Sequence, residues 1–132
     1  MKPTTPKPPP PLDAQGLPVG YRFREDWEIT PRKVDAMVQN KEDFVLVDCR
    51  TPGEHEAARI EGAQLLPLQQ IAEAIDELED DRDKPIVVHC HHGGRSLQFT
   101  AVLRQQGFTD VKSMAGGIDL WSIDIDPAIP RY

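Results

Sequence analysis

The residues with the clearest chemical potential form one short run, His89-Cys90-His91-His92-Gly93-Gly94-Arg95-Ser96. The β-forming stretch Pro85 to Val88 precedes this run, and a helical pattern that begins at Ser96 follows it. A cysteine therefore ends a predicted buried strand, two glycines shape a turn, and an arginine and a serine open a helix. The backbone N–H groups of such a turn point inward at the positive end of the helix dipole, which makes an anion-binding site.

A thiol inside this turn is expected to lose its proton easily, because the N–H donors stabilise the thiolate. We therefore predict that Cys90 is an activated nucleophile whose substrate or intermediate carries negative charge. Arg95 is its predicted catalytic partner, which neutralises the anionic end of the substrate. The other loop residues and one distant arginine are predicted to bind substrate: His91, His92, Gly93, Gly94, Ser96 and Arg50. The plainer alternative is a strand–turn–helix junction with an incidental cysteine.

The pattern His-Cys-x-x-Gly-x-Arg-Ser resembles the active-site loop of rhodanese-like sulfurtransferases. It is also similar to the cysteine phosphatase loop, His-Cys-x-x-Gly-x-x-Arg-Ser/Thr, but it is one residue shorter. In the rhodanese family a six-residue loop, Cys90 to Arg95 here, goes with sulfur transfer, and a seven-residue loop goes with phosphate or arsenate chemistry. The resemblance implies a sulfurtransferase that needs no cofactor. It would move sulfane sulfur from a small anionic donor such as thiosulfate, through a Cys90 persulfide, to a thiol, a protein or another thiophilic acceptor.

Further segments in matching order extend the resemblance over nearly all of Glu28 to Tyr132. They are Asp48-Cys49-Arg50-x-x-x-Glu54-His55, Ile60-Glu61-Gly62-Ala63 and Met114-Ala115-Gly116-Gly117-Ile118-x-x-Trp121. Arg50 either faces the substrate as a second cation or pairs with Glu54 or another carboxylate and holds the loop. Cys49 is most simply a small buried apolar residue. The other interpretation of Cys49 is a resolving or persulfide-accepting thiol.

Short apolar runs and helical patterns alternate along the chain. They predict an α/β fold with a parallel sheet of about five strands and helices on both faces, which is also the rhodanese-like fold. Asp48, Arg50 and Cys90 lie at or just beyond predicted strand ends, where ligands bind in such sheets. We expect residues 21–132 to form this domain. Residues 1–20 are proline-rich and predict a disordered tail or linker remnant, with a ligand for a proline-binding module as the alternative.

Composition limits the partners and the compartment. The chain has 132 residues, 39% of them hydrophobic, and a net charge of −7 at pH 7, which fits one acidic domain. This charge argues against nucleic acid and anionic membrane surfaces as partners. No run is long and apolar enough to span a bilayer, and no stretch is of signal-peptide type. Two distant cysteines favour a reducing compartment, and the cytoplasm is therefore predicted.

The same residues allow three other interpretations. In a sulfur-carrier or partner-binding module, another protein would load Cys90 and a docked protein would take the sulfur. A cysteine phosphatase or arsenate reductase would use the same thiolate, but the loop is one residue short and no general acid is evident. A metal site would use His89, Cys90, His91 and His92. Adjacent residues of a tight turn rarely converge on one ion, and no second cluster has zinc spacing, so no metal is predicted.

Overall fold

A computed structural model describes residues 6–132, and within them the strands form one five-stranded sheet. The strands are β1 (Glu28–Ile29), β2 (Val45–Asp48), β3 (Gln64–Leu65), β4 (Ile86–His89) and β5 (Val111–Met114). Their spatial order is β1-β5-β4-β2-β3, and every neighbouring pair is parallel. All four residues of the central strand β4 are buried, which is typical of an apolar strand covered on both faces. The predicted α/β parallel sheet is confirmed.

The helices are α1 (Pro31–Gln39), α2 (Pro52–Ala57), α3 (Ile71–Glu77), α4 (Gly94–Gln105) and α5 (Gly117–Asp124). Short 3-10 turns cover Leu68–Gln70 and the acidic run Glu79–Asp81. Helix α1 begins as its sequence predicts, because the Thr30 hydroxyl accepts from the Lys33 N–H at 3.2 Å and Pro31 is the first helical residue.

Two apolar clusters cover the two faces of the sheet. On one face, Phe99 and Leu103 of α4 and Leu78 after α3 pack with Val47 and Val88. On the other face the cluster comes from α1, α5 and alternate strand residues, namely Val34, Ile118, Trp121, Leu46, Val87 and Met114. Neighbouring strand residues alternate between the clusters, as the period of a strand requires. The two layers hold the carboxyl ends of β2 and β4 side by side.

The segment before the domain is more ordered than its composition predicts. The Asp13 carboxylate accepts from the Gln15 and Leu17 N–H groups, and Leu12 bridges to Pro18. Leu17 is 2% exposed and packs with Ala115 and Leu120. The expected disordered tail over residues 1–20 is therefore corrected for residues 11–20, because a hydrogen-bonded turn presents one leucine to the core. Residues 6–10 are exposed, and residues 1–5 lie outside the described residues.

No helix in residues 6–132 combines the length and the apolar character that crossing a membrane requires.

Candidate active site

Cys90 follows β4 directly, and its side chain is buried. The Gly93 N–H donates to Cys90 Sγ at 3.1 Å, and the Ser96 N–H donates at 3.4 Å. The Ser96 hydroxyl lies 3.4 Å from the same sulfur and 2.7 Å from Ser113 Oγ on β5. The loop therefore aims backbone donors at the sulfur, as an anion-binding turn does.

Two backbone features give the loop this shape. Gly93 has a φ of 117°, in the left-handed region that favours glycine. Helix α4 then begins at Gly94, so its first turn supplies the Ser96 N–H to Cys90. The positive end of the helix dipole adds to these hydrogen bonds in stabilising a negative sulfur.

Cys49 lies next to Cys90 on the neighbouring strand and supplies a further donor. Asp48 and His89 are paired in register, and the Cys49 N–H donates to the His89 carbonyl at 3.0 Å. A hydrogen bond from the Cys49 thiol, supported by those from Ser96 and Gly93, outweighs burial and lowers the pKa of Cys90 to about 4. We therefore expect Cys90 to be a thiolate at neutral pH.

Arg95 is held by a carboxylate that the sequence analysis had not assigned to it. Its Nη1 and Nη2 groups donate to Glu54 at 2.6 and 3.0 Å, and the Tyr132 hydroxyl donates to Glu54 at 2.6 Å. The hydrogen bond from Arg95 holds the pKa of Glu54 well below its usual range. Arg95 also lines a small cleft with Cys49 and Leu68. An anion that enters this cleft and binds Arg95 must compete with Glu54.

Arg50 also lines this cleft, but its guanidinium is buried and paired, so its contact with substrate stays a prediction. The side chain is fully buried, and Nε and Nη2 bind the Asp48 carboxylate at 2.8 and 2.7 Å. The guanidinium also donates to Tyr132 Oη at 2.9 Å, to the Ala58 carbonyl at 2.5 Å and to the Glu54 backbone carbonyl at 3.3 Å. The pairing partner is Asp48 rather than Glu54, and the pair stabilises the loop after β2.

The histidine rings of the loop are occupied away from the cleft. The His91 ring stacks on Tyr132 with centroids 3.9 Å apart, and His92 is 67% exposed with Nδ1 4.0 Å from Asp119. The His89 ring is buried, and burial lowers its pKa. Residues 6–132 hold no group of three or more side chains suited to a metal ion. Direct contact of His91 and His92 with a substrate stays a prediction.

The second glycine pair supports the loop from behind. The Ile118 N–H donates to the Cys90 carbonyl at 2.9 Å, and the Asp119 N–H donates to the His91 carbonyl at 3.1 Å. A Cβ on Gly117 would lie 2.5 Å from the Cys90 carbonyl oxygen. The Gly-Gly motif had marked this turn in the sequence, but its contact with the catalytic loop is visible only in the structure. Ser113, which binds Ser96, was also not predicted as part of the site. Its only signal in the sequence is that it is a polar residue within a buried strand.

Comparisons with known proteins agree with this site. Residues 30–124 match the family described as "Rhodanese-like domain". The chain is 41% identical over 93 residues to "Thiosulfate sulfurtransferase GlpE" of Pseudomonas syringae, covering 70% of this chain and 84% of that protein. It is 33% identical over 121 residues to "Adenylyltransferase and sulfurtransferase UBA4" of Candida albicans, covering 87% of this chain but 27% of that longer protein.

A solved structure supports the same assignment. The rhodanese-related protein of Thermoplasma volcanium is 26% identical, with a TM-score of 0.66 over 80% of this chain and 99% of that one. The sheet, the Cys90 loop and these matches agree, and the chain belongs to the rhodanese-like domain family.

Proposed function

We propose that this protein is a sulfurtransferase that moves sulfane sulfur from thiosulfate or a related donor to a thiophilic acceptor through a Cys90 persulfide. The observation that carries the proposal is the environment of Cys90 Sγ, a buried sulfur that receives the Gly93 and Ser96 N–H groups. A thiolate stabilised in this way is nucleophilic at neutral pH without a general base.

The reaction balances in two transfers. The Cys90 thiolate attacks the outer sulfur of thiosulfate, the S–S bond of the donor breaks, and sulfite leaves with the bonding electron pair. A nucleophile such as cyanide or a thiolate then attacks the terminal sulfur of the persulfide, and Cys90 departs as a thiolate. The Gly93 and Ser96 N–H groups stabilise the sulfur charge at both stages.

Arg95 supplies the cation for the donor. Its guanidinium lines the cleft. Its bidentate contact with Glu54 has the geometry in which it donates to two oxygens of one group. The sulfonate oxygens of thiosulfate offer a similar surface, so the donor replaces Glu54 on Arg95 as it approaches Cys90.

The size of the loop favours sulfur over phosphate. The Gly93 and Ser96 nitrogens lie 3.1 and 3.4 Å from Cys90 Sγ. At these distances both N–H groups can donate to one sulfur atom at the same time. Inserting one glycine between Gly94 and Arg95 gives the spacing of the phosphatase loop. We expect that insertion to weaken thiosulfate turnover and to create competitive inhibition by vanadate. Tight vanadate inhibition of both proteins would instead favour phosphate chemistry.

A second candidate is a sulfur carrier for a protein partner. Arg95 is already paired with Glu54, and the Candida albicans relative joins two named activities in one longer chain. Both observations suit a partner protein that delivers or takes the sulfur directly. Low turnover of thiosulfate, with rapid transfer from a persulfidated cysteine desulfurase, would favour this candidate.

The proposal is tested by a thiosulfate:cyanide assay of wild type and Cys90→Ser. Oxygen is a poor nucleophile toward sulfane sulfur and forms no persulfide, so Cys90→Ser is expected to be inactive. Circular dichroism and the melting temperature check that the variant is folded. Thiocyanate formation by Cys90→Ser near the rate of wild type would overturn the proposal.

A further inference from the structure

Two free cysteines lie side by side at the carboxyl ends of adjacent parallel strands. Cys49 follows β2 and Cys90 follows β4, immediately after the paired residues Asp48 and His89. Both cysteines belong to the same apolar cluster as Val47 and Val88, which are themselves paired in register. Because alternate residues of a strand share a face, the two thiols point to the same side of the sheet.

This placement suits a disulfide. Neighbouring strands lie about 4.8 Å apart, and the Cα atoms of disulfides usually lie about 4.4–6.8 Å apart. The Cys49 N–H hydrogen bond to the His89 carbonyl at 3.0 Å shows that strand spacing persists at this position. A bond between the sulfurs therefore needs side-chain rotation and little backbone movement.

We propose that Cys49 is a resolving thiol that attacks the inner sulfur of the Cys90 persulfide, releases hydrosulfide and closes a Cys49–Cys90 disulfide. This inference rests on the proposed function, because it needs a persulfide on Cys90. The persulfide then has two possible fates. Its sulfane sulfur is either transferred to an external acceptor or reduced to sulfide by Cys49.

The surroundings of Cys90 give the attack its direction. Ser96 is tied to Ser113 on β5, whereas Cys49 follows β2, and β4 lies between these two strands. Ser96 therefore lies on the β5 side of Cys90, and Cys49 lies on the β2 side. A terminal sulfur held by the donors lies away from Cys49 and is placed to leave as Cys49 attacks.

The persulfide itself removes the barrier to attack. While Cys90 is a thiolate, its hydrogen bond from Cys49 and its charge act together with burial to hold the pKa of Cys49 far above its ordinary value. Forming the Cys90 S–S bond removes the charge from the inner sulfur. Nearby Arg95, which lowers the pKa of Cys49, stays in place. Cys49 is therefore protected in the resting protein and becomes more acidic once sulfur has been loaded.

The step balances in atoms and electrons. The Cys49 sulfur forms a bond to Cys90 Sγ, the bond from Cys90 Sγ to the terminal sulfur breaks, and that sulfur leaves as hydrosulfide with the Cys49 proton. The sulfane sulfur is reduced, and the two cysteine sulfurs are oxidised to a disulfide. A low-molecular-weight thiol is the reductant that reopens the disulfide for another turnover.

The experiment follows one turnover without any acceptor. Pre-reduced protein, freed of thiol, is incubated with thiosulfate, and sulfide release and intact mass are measured. Wild type is expected to release sulfide equal to the chain concentration and to end as a disulfide between Cys49 and Cys90. Cys49→Ser keeps a hydrogen-bond donor beside Cys90 but cannot form the disulfide. It is expected to lose sulfide release and to retain one added sulfur atom on Cys90.

The outcomes separate the inference from the proposed function. A wild type that keeps a stable Cys90 persulfide and releases no sulfide overturns the resolving role and leaves the sulfurtransferase proposal standing. Peptide mass analysis that finds the added sulfur on Cys49 overturns the disulfide step in the same way. Failure of wild type and Cys49→Ser alike to take up sulfur overturns the proposed function, and this inference with it.

Discussion

The reactivity of Cys90 is determined by groups that the fold brings to one sulfur atom. Gly93, Ser96 and Cys49 come from the loop, the first turn of α4 and the end of β2. The sequence predicted the backbone donors, because the loop joins a strand end to a helix N-terminus, whose first N–H groups have no partner within the helix. It did not predict the Cys49 donor, since 41 positions separate the two cysteines and only the strand register brings them together.

Titration of the thiolate tests this environment directly. Ultraviolet absorbance of the thiolate in wild type is expected to rise with an apparent pKa of about 4, well below the value of about 8.5 for free cysteine. Cys90→Ser should lose this transition. Cys49→Ala removes a donor to the thiolate and should raise the apparent pKa, and Cys49→Ser should raise it less. A wild-type transition near the free-thiol value would contradict the assigned hydrogen bonds.

Arg95 is expected to bind the donor through its positive charge and through the planar set of N–H donors on its guanidinium. A charge-assisted contact of this kind contributes about 1.5–3 kcal/mol. Arg95→Ala should therefore lower kcat/KM for thiosulfate by about ten- to a hundredfold, and Arg95→Lys should lose less. Glu54→Gln is the matched variant, because it removes the charge that competes with the donor, and it should lower KM. Unchanged kinetics in Arg95→Ala would show that the arginine only fixes Glu54.

The elements that position these residues were largely predictable, with one instructive error. Strands β2 and β4 followed from apolar runs, and α1 followed from Thr30 and Pro31. Thr51-Pro52 has the same pattern, but Gly53, a poor helix former, follows it and argues against a helix there. The structure has a capping box between Thr51 and Glu54 and a helix from Pro52. The capping box outweighs the low helix propensity of Gly53.

The turn before α5 is a structural support of the catalytic loop, and Gly117 is its most constrained position. Gly117→Ala places a methyl group against the Cys90 carbonyl at a residue with a φ of 61°. The left-handed conformation alone costs about 1–2 kcal/mol, and the clash adds to it. We expect a lower melting temperature and a loss of sulfur transfer. Gly53→Ala is the control, because a Cβ there meets no atom within 4 Å. Equal effects of the two changes would contradict the proposed support.

Long-range hydrogen bonds connect Tyr132 with residues around the site, and the sequence could not predict them. Arg50 Nη1 binds the hydroxyl of Tyr132, 82 positions away, and Glu54 accepts from the same hydroxyl. Arg50 was expected to pair with a carboxylate, but several were available. Only the tertiary fold selects Asp48, whose buried position excludes water from the pair.

The N-terminal turn contributes to the stability of the whole molecule. Leu17 is 2% exposed in its cluster with Ala115 and Leu120. Leu17→Ala should lower the free energy of unfolding by about 2–5 kcal/mol, measured by urea denaturation. Val19→Ala is the control, since Val19 is 67% exposed and should change stability little. Equal stability of Leu17→Ala and wild type would return this segment to the disordered tail that its composition predicted.

The central claim is that Cys90 takes the outer sulfur of the donor and that sulfite leaves in the same step. The most direct measurement is sulfite release when protein and thiosulfate are mixed without an acceptor. We predict a burst equal to the chain concentration in wild type and no burst in Cys90→Ser. The burst does not depend on the later fate of the sulfur at Cys49. The absence of a wild-type burst, or an equal burst in Cys90→Ser, would contradict the claim.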